Sequence, residues 1–400
     1  MTTVIAIDKN ICTGCQECTK VCPAYAIEGE LGQPQTINTD RCVMCGQCVQ
    51  KCKSYVSIIS HGYDAYEKVR KERNIPDTVQ EPLFAAYNVC HLNEVKAALA
   101  DPNIITMVQC APAVRVAIGE DFGNPLGSLE AGRMAAALKK VGFDYVYDTN
   151  FAADLTIMEE GTELINRVTK GGVLPMFTSC CPAWVTFLER NYPELKDHLS
   201  SCKSPMQMQG PVQKTYGAQI NNVDPKKIFN VAVMPCTCKE FEALREEMQI
   251  DGMRSIDTVL TTRELAWLIK DKGIDFNALE PAEFDHPLGD YTGAGHIFGV
   301  TGGVMEAAIR TGYELITGQP IPNIDVTPVR GTDGFRTAEL QVGDLVLKVG
   351  VVTYLKNVVP VLEQIGCSVY GFGGDSVYLN ARKTLKPPKE IRTAPYPGFP

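Results

Sequence analysis

The chain has no basic surplus: 38 lysines and arginines stand against 47 aspartates and glutamates, a formal charge of −9 at neutral pH. Nucleic-acid binding needs a concentrated basic face, so that class is set aside. No apolar run reaches the roughly eighteen residues a membrane span needs, and none is expected. The first residues, MTTVIAIDKN, offer neither a basic leader nor a long apolar core. No export signal is therefore expected, and the cytoplasm is the expected compartment. Export alongside a signal-bearing small subunit, to the periplasm, is the alternative. No GxxxxGK phosphate loop is present; Gly299, Gly302 and Gly303 in IFGVTGGVMEAA read as a turn before a helix. At 400 residues the chain can bury a sizeable core, in one large domain or several smaller ones.

What the chain has in plenty is cysteine, 16 in all. A disulfide framework and metal ligation compete as explanations. Disulfide-rich chains are small and secreted; this one is large and gathers half its cysteines into two tight runs. The first run is Cys12, Cys15, Cys18, Cys22 and the second Cys42, Cys45, Cys48, Cys52, each spaced C-x2-C-x2-C-x3-C. Two residues between cysteines let one loop wrap three thiolates around a cubane face, while the fourth turns away to the other cluster. One 4Fe–4S cluster is thus expected on Cys12, Cys15, Cys18 and Cys52, and the other on Cys42, Cys45, Cys48 and Cys22. Gly14 and Gly46 allow close backbone approach. Zinc knuckles rarely come as two such runs in tandem. The pattern resembles the bacterial two-cluster ferredoxin domain, with an internal repeat of roughly thirty residues, each half β-loop-helix-β.

Residues 61–103 are charged and helical in pattern, a linker with one or two helices. Cys90 there reads as a buried thiol rather than a ligand. Ile104–Val108 suits a buried parallel strand, ending in the small-residue loop QCAPAVR, a usual place for an α/β site. Cys110 at that end is either a core thiol or a site residue. GRMAAALKKVGF reads as an amphipathic helix and DYVYDTNFAADLT as strand then loop. MEEGTELINRVT has helical periodicity, with Ile157, Leu164, Ile165 and Val168 on a core face. Glu160, Glu163 and Arg167 line one face of it, either as a solvated ladder or as working groups.

The adjacent pair Cys180–Cys181 in TSCCPAW cannot easily hold one metal, because neighbouring side chains point apart. One can ligate while the other faces a cavity and moves protons, provided its pKa is tuned. Ser200, Ser201, Cys202 and Lys203 follow in a polar loop before Pro205. FNVAVMPC reads as an alternating strand ending at Cys236. Lys239, three residues on, is a compact donor for an anionic ligand.

With TSCCPAW, MPCTCK, APAVR, FAADLTIMEE, SPMQ, IDTVLTTRELA, GAGHIFGVTGGVMEAA and VRGTDG, the chain resembles the catalytic large subunit of the iron-only (FeFe) hydrogenases. The resemblance runs from the ferredoxin domain to about residue 355. It implies an α/β fold, α+β overall. A ferredoxin-like domain (1–60) and helical linker (61–103) would precede a two-lobed H-cluster domain (104–366) and a divergent tail (367–400). It implies an H-cluster: a 4Fe–4S cubane joined to a two-iron unit that carries carbonyl, cyanide and a bridging azadithiolate. Carried over by motif position, Cys181 and Cys236 would be cubane ligands. Cys180 would exchange protons with the azadithiolate amine, along a path through Glu160, Ser200 and Glu163 to Arg167. Lys239 would bind a cyanide. Pro112, Ala113 and Met234 would line the two-iron pocket, with Phe298 packed against it. Cys238 stands at a small-residue position and is not a usual ligand; Met206 stands where the family often has glutamine.

The third signature departs from the family. Two cysteines three residues apart are expected, and the chain offers Cys367 followed by Gly371 at the second place. Glycine cannot bridge two metals. An alignment on the hydrophobic run leaves both places empty. The proline-rich end, KPPKEIRTAPYPGFP, reads as extended. DTVLTTRELAWLIKDKG reads as a helix capped by Thr261 or Thr262 with Glu264 nearby, and LKNVVPVLEQI as a helix broken by Pro360. Two functions follow. The first is a ferredoxin- or cytochrome-linked hydrogenase interconverting protons, electrons and H2, with a redox-protein partner and room for a small subunit or larger redox complex. The second is a non-catalytic electron-transfer or redox-sensing subunit without a working two-iron unit.

Overall fold

The computed structural model describes residues 4–286, 288–319, 334–342, 345–364 and 390–392. Cys367, the glycines after it and most of the proline-rich end lie outside the described residues. Contacts divide the chain into two compact units: Met1–Phe151 with Met206–Asp290, and Ala152–Pro205 with Tyr291–Pro400.

In the first unit each cysteine run leads into a one-turn helix, Glu17–Val21 and Gln47–Lys51, between short strands. The repeat expected from the spacing is there. Residues 61–103 are more than a linker. Besides the helices Tyr63–Glu72 and Leu92–Ala100, they supply the strand Ala86–Asn88, antiparallel to Ile5–Ile7, and Leu83–Phe84, antiparallel to Tyr55–Val56. The Ala86 N–H also donates to Cys52 Sγ at 3.4 Å.

The same unit holds a four-stranded parallel sheet, in the order Thr258–Leu260, Ile228–Val233, Ile105–Cys110, Tyr145–Asp148. The Ile228–Val233 strand is inner and nearly all buried, so its apolar run serves both faces rather than alternating in and out. Cys110 is fully buried at the end of its strand, as a core thiol would be. The helix Thr262–Asp271 starts at a capping box: Thr261 Oγ1 accepts the Glu264 N–H, and Glu264 accepts the Thr261 N–H at 2.7 Å.

The segment after Tyr145–Asp148 is not a loop. The helix begins at Asn150 and runs to Lys170, its first N–H held by Asp148 Oδ1 at 3.0 Å. The helix Gly303–Thr317 follows Gly302 at φ +81°, and a Cβ on Gly303 would strike the Ile297 carbonyl at 1.7 Å. Leu345–Val352 pairs with Phe335–Val342. Pro360 does not break its helix, because it is the third residue of Val358–Gln364. An N–H there would have no partner within the helix, so none is lost.

Gly46 shows why the first unit tolerates so little change. It adopts φ +76°, and a Cβ on it would lie 2.7 Å from Thr237 Oγ1. Gly46→Ala is predicted to cost about 1–3 kcal/mol through this left-handed conformation alone. The cost would appear as a lower urea midpoint, while Gly123→Ala, in the same left-handed region at φ +80° with open space around it, isolates the backbone part.

Candidate active site

The first cysteine run, with Cys52, sets its thiols around a cavity rather than a point. Cys12, Cys15, Cys18 and Cys52 line one cavity, with Gln35, Ser54 and Ala86. Among the described residues no three ligating side chains converge on a place for a single ion; four thiols around a void suit a cluster instead. Backbone amides face the sulfurs: Gln35 N–H on Cys12 Sγ, Ala26 on Cys22 and Met44 on Cys42, at 3.2–3.4 Å. Burial pushes the Cys45 thiol up to about 12, opposed by the Gln47 N–H, with Cys22, Cys42 and Cys236 pushing further. Iron would hold these sulfurs as thiolates where burial alone keeps them protonated.

Cys236 among those neighbours is informative. Thr237 Oγ1 donates to the Met44 carbonyl at 3.0 Å and Cys238 Sγ to the Val43 carbonyl at 3.3 Å. The MPCTCK loop therefore rests on the second cysteine run, within one unit. Cys238 is fully buried in that contact. Parallel pairing of Cys110 with Val233 makes Pro112, Ala113, Met234 and Cys236 leave neighbouring strands at the same carboxyl end of the sheet. Ala113 and Met234 are buried there. Burial raises the Cys236 thiol, against the charge of Lys239. Lys239 Nζ donates to Glu242 Oε2 at 2.8 Å, on a nearly buried carboxylate. Sequence reasoning missed Glu242, though its place three residues after Lys239 on a helix was a usable signal.

The other site residues belong to the second unit. Cys181 is buried and caps the helix Pro182–Asn191, whose amide dipoles favour a negative ligand; Cys180 beside it is half-buried. A parallel bridge between Phe177 and Leu199 ties this segment to the polar loop: the Ser200 N–H donates to the Phe177 carbonyl at 2.7 Å and Phe177 to that of His198 at 2.8 Å. Ser200 is thereby set against the helix that carries both glutamates. Its hydroxyl donates to Glu163 Oε2 at 2.7 Å, and Arg167 Nη2 donates to Glu163 Oε1 at 2.6 Å. Carbonyls of Val173, Asp197 and Leu199 hold the guanidinium at 2.7–3.1 Å. Phe298 packs with Ala153 and Ile157 on that helix.

The two glutamates differ in environment. Glu160 is 5% exposed, its Oε1 has no hydrogen-bond partner among the described residues, and it borders an apolar cavity lined by Leu164, Ile165, Met305 and Val349. Leu164, Ile165 and Val168 line that cavity rather than a closed core. Burial pushes the Glu160 carboxyl up to about 7, against the Ser200 hydroxyl and the Ser179 N–H and with the charge of Glu163. Burial also pushes Glu163 up, but bonds from Ser200 and Arg167, the Arg167 charge and the Ser201 N–H outweigh it and hold the carboxyl below its ordinary value. A carboxyl that titrates near pH 7 thus sits one hydroxyl away from a carboxylate held below its ordinary pKa, an arrangement suited to passing protons.

Comparison with known proteins bears on this arrangement. Residues 104–373 match the family model for the iron only hydrogenase large subunit, C-terminal domain, and residues 4–53 that of a 4Fe-4S dicluster domain. The chain is 43% identical to the periplasmic [Fe] hydrogenase large subunit of Nitratidesulfovibrio vulgaris, over 92% of this chain and 82% of that protein. It is 44% identical to the NADP-reducing hydrogenase subunit HndD of Solidesulfovibrio fructosivorans, over 82% of this chain, and spans 59% of that relative's length. The solved structure of an apo [FeFe]-hydrogenase HydA1 variant from Chlamydomonas reinhardtii superposes with a TM-score of 0.65 at 36% identity, covering 77% of this chain and 82% of that one.

Glu160 also makes stability depend on pH. Its folded-state pKa is raised, so its stabilising contribution is full below the unfolded value of about 4.5 and is lost as pH rises through about 7. The loss is about 3 kcal/mol across that window. Urea unfolding at a series of pH values should show this slope in the native protein and lack it in Glu160→Gln.

Proposed function

The chain belongs to the iron-only hydrogenase large-subunit family, and we propose that it catalyses the reversible reaction 2H⁺ + 2e⁻ ⇌ H2. Its cofactors are 4Fe–4S clusters and the family's H-cluster. We assign Cys12, Cys15, Cys18 and Cys52 to one ferredoxin-type cluster and Cys42, Cys45, Cys48 and Cys22 to the other. The contacts of Thr237 with Met44 and of Cys238 with Val43 support the second as the one next to the catalytic cubane. Electrons would enter at the first.

Cys181 and Cys236 would hold the cubane, and Cys367, outside the described residues, would be a third ligand. The H-cluster, when bound, supplies the two-electron chemistry at its two-iron unit. Pro112, Ala113, Met234 and Phe298 would keep water from that unit, and Lys239, braced by Glu242, would present an ammonium to a cyanide. The Cys180 thiol would take a proton from the Glu160 carboxyl. Glu160 would be recharged through the Ser200 hydroxyl from Glu163 after Glu163 has taken a proton from solvent, and Arg167 holds Glu163 in place at the outer end. A redox protein such as a ferredoxin or cytochrome, or a companion subunit, would exchange the electrons. No helix among the described residues is long and apolar enough to cross a membrane; the cytoplasm, or the periplasm by joint export, would hold the protein.

The observation that carries this reading is the bonded series Ser200–Glu163–Arg167 beside the buried Glu160, whose carboxyl burial pushes up to about 7. A pure electron carrier has no use for it. One observation favours the alternative of a non-catalytic electron-transfer or redox-sensing subunit: Gly371 stands where the second cysteine of the third signature is expected. H2 evolution from reduced viologen by the matured protein separates the two. Cys180→Ala and Glu160→Gln are each predicted to lower it by about 10²-fold or more at unchanged iron content. Activity untouched in both variants would refute the proton route, and none in the native protein would favour the carrier.

A further inference from the structure

Cys202 has no place in the route above, yet it touches both ends of its central hydrogen bond. Its N–H donates to Ser200 Oγ at 3.1 Å, and its Sγ lies 3.7 Å from Glu163 Oε2, within reach of a thiol donor. The loop is pinned from behind, because Ser179 Oγ donates to the Cys202 carbonyl. Glu163 is surrounded unevenly. Oε1 accepts from Arg167 Nε at 3.1 Å, Arg167 Nη2 at 2.6 Å and the Ser201 N–H at 3.2 Å. Oε2 accepts from the Ser200 hydroxyl at 2.7 Å and the Ser201 N–H at 3.0 Å, with the thiol third.

A serine can relay a proton only by turning. Ser200 gives its proton to one carboxyl group, accepts one from the other, and ends as the neutral hydroxyl it began as. While the hydroxyl points to Glu160, Oε2 loses its shortest donor. We propose that Cys202 is a positioning residue of the proton path: its thiol holds Glu163 Oε2 while the Ser200 hydroxyl turns between Glu160 and Glu163. The proposal rests on the proton route assigned above. The ionisable groups facing Glu163 are Arg167 and Glu160 from its own helix and Cys202 from the loop. Burial pushes the Cys202 thiol up to about 12, with Glu160 and Glu163 adding to it against the Ser200 hydroxyl, so the thiol stays protonated and remains a donor.

Two readouts on the full chain test this. The first is an infrared pH titration of the Glu163 carboxylate, recognised as the signal that Glu163→Gln removes; it needs no hydrogen chemistry. The second is the pH profile of H2 evolution. In Cys202→Ala the Glu163 midpoint should move up, and the acidic limb of the activity profile with it. The rate one pH unit below the native optimum should fall about two- to tenfold, the range of one lost hydrogen bond. Cys202→Ser, which keeps a donor, should restore both. A midpoint that moves while the native protein evolves no H2 would uphold the positioning role and sink only the hydrogenase reading. An unmoved midpoint and pH profile in Cys202→Ala overturn the inference, whatever that variant does to thermal stability.

Discussion

The bond from the Ser200 hydroxyl to Glu163 is the constraint on which the second unit's chemistry depends. It joins residues 37 apart in sequence, with the Ser200 loop held by the Phe177–Leu199 bridge on one side and by Arg167 of the Glu163 helix on the other. It helps hold the Glu163 carboxyl below its ordinary value, while burial against an apolar wall raises that of Glu160, one turn earlier on the same helix, to about 7. Two chemically identical groups acquire different roles from burial and donors alone. Arg167, caught between Glu163 and a set of loop carbonyls, fixes the outer end.

The first unit obeys a different constraint, close backbone approach. Gly46 leaves room for Thr237, and through that contact the MPCTCK loop lies on the second cysteine run. The Coulombic reach of Cys236 to Cys45 is a consequence. Electron transfer between clusters needs short separations, and under the proposed assignment a glycine and a threonine would help set this one.

Much of this was legible from residue spacing. The two cysteine runs, the i, i+3 and i+4 relation of Glu160, Glu163 and Arg167, the capping box at Thr261 and the buried strand before QCAPAVR all follow from local periodicity, and the structure has them. What spacing could not reveal is non-local. The closing of Ala86–Asn88 onto Ile5–Ile7, the choice of which cysteine run meets Cys236, and the approach of Cys202 to Glu163 depend on pairings 39 or more residues apart. The helix start at Asn150 was hidden because DTNF carries turn-forming residues that here serve as a cap. Pro360 misled for a related reason: in a first turn it costs no hydrogen bond.

The central claim is that this protein works as a hydrogenase despite Gly371 in the third signature. An infrared spectrum of the anaerobically purified, matured protein tests it most directly, since only the two-iron unit carries carbonyl and cyanide. The account predicts carbonyl and cyanide bands. Their absence from a protein whose cubanes are fully loaded with iron would contradict it.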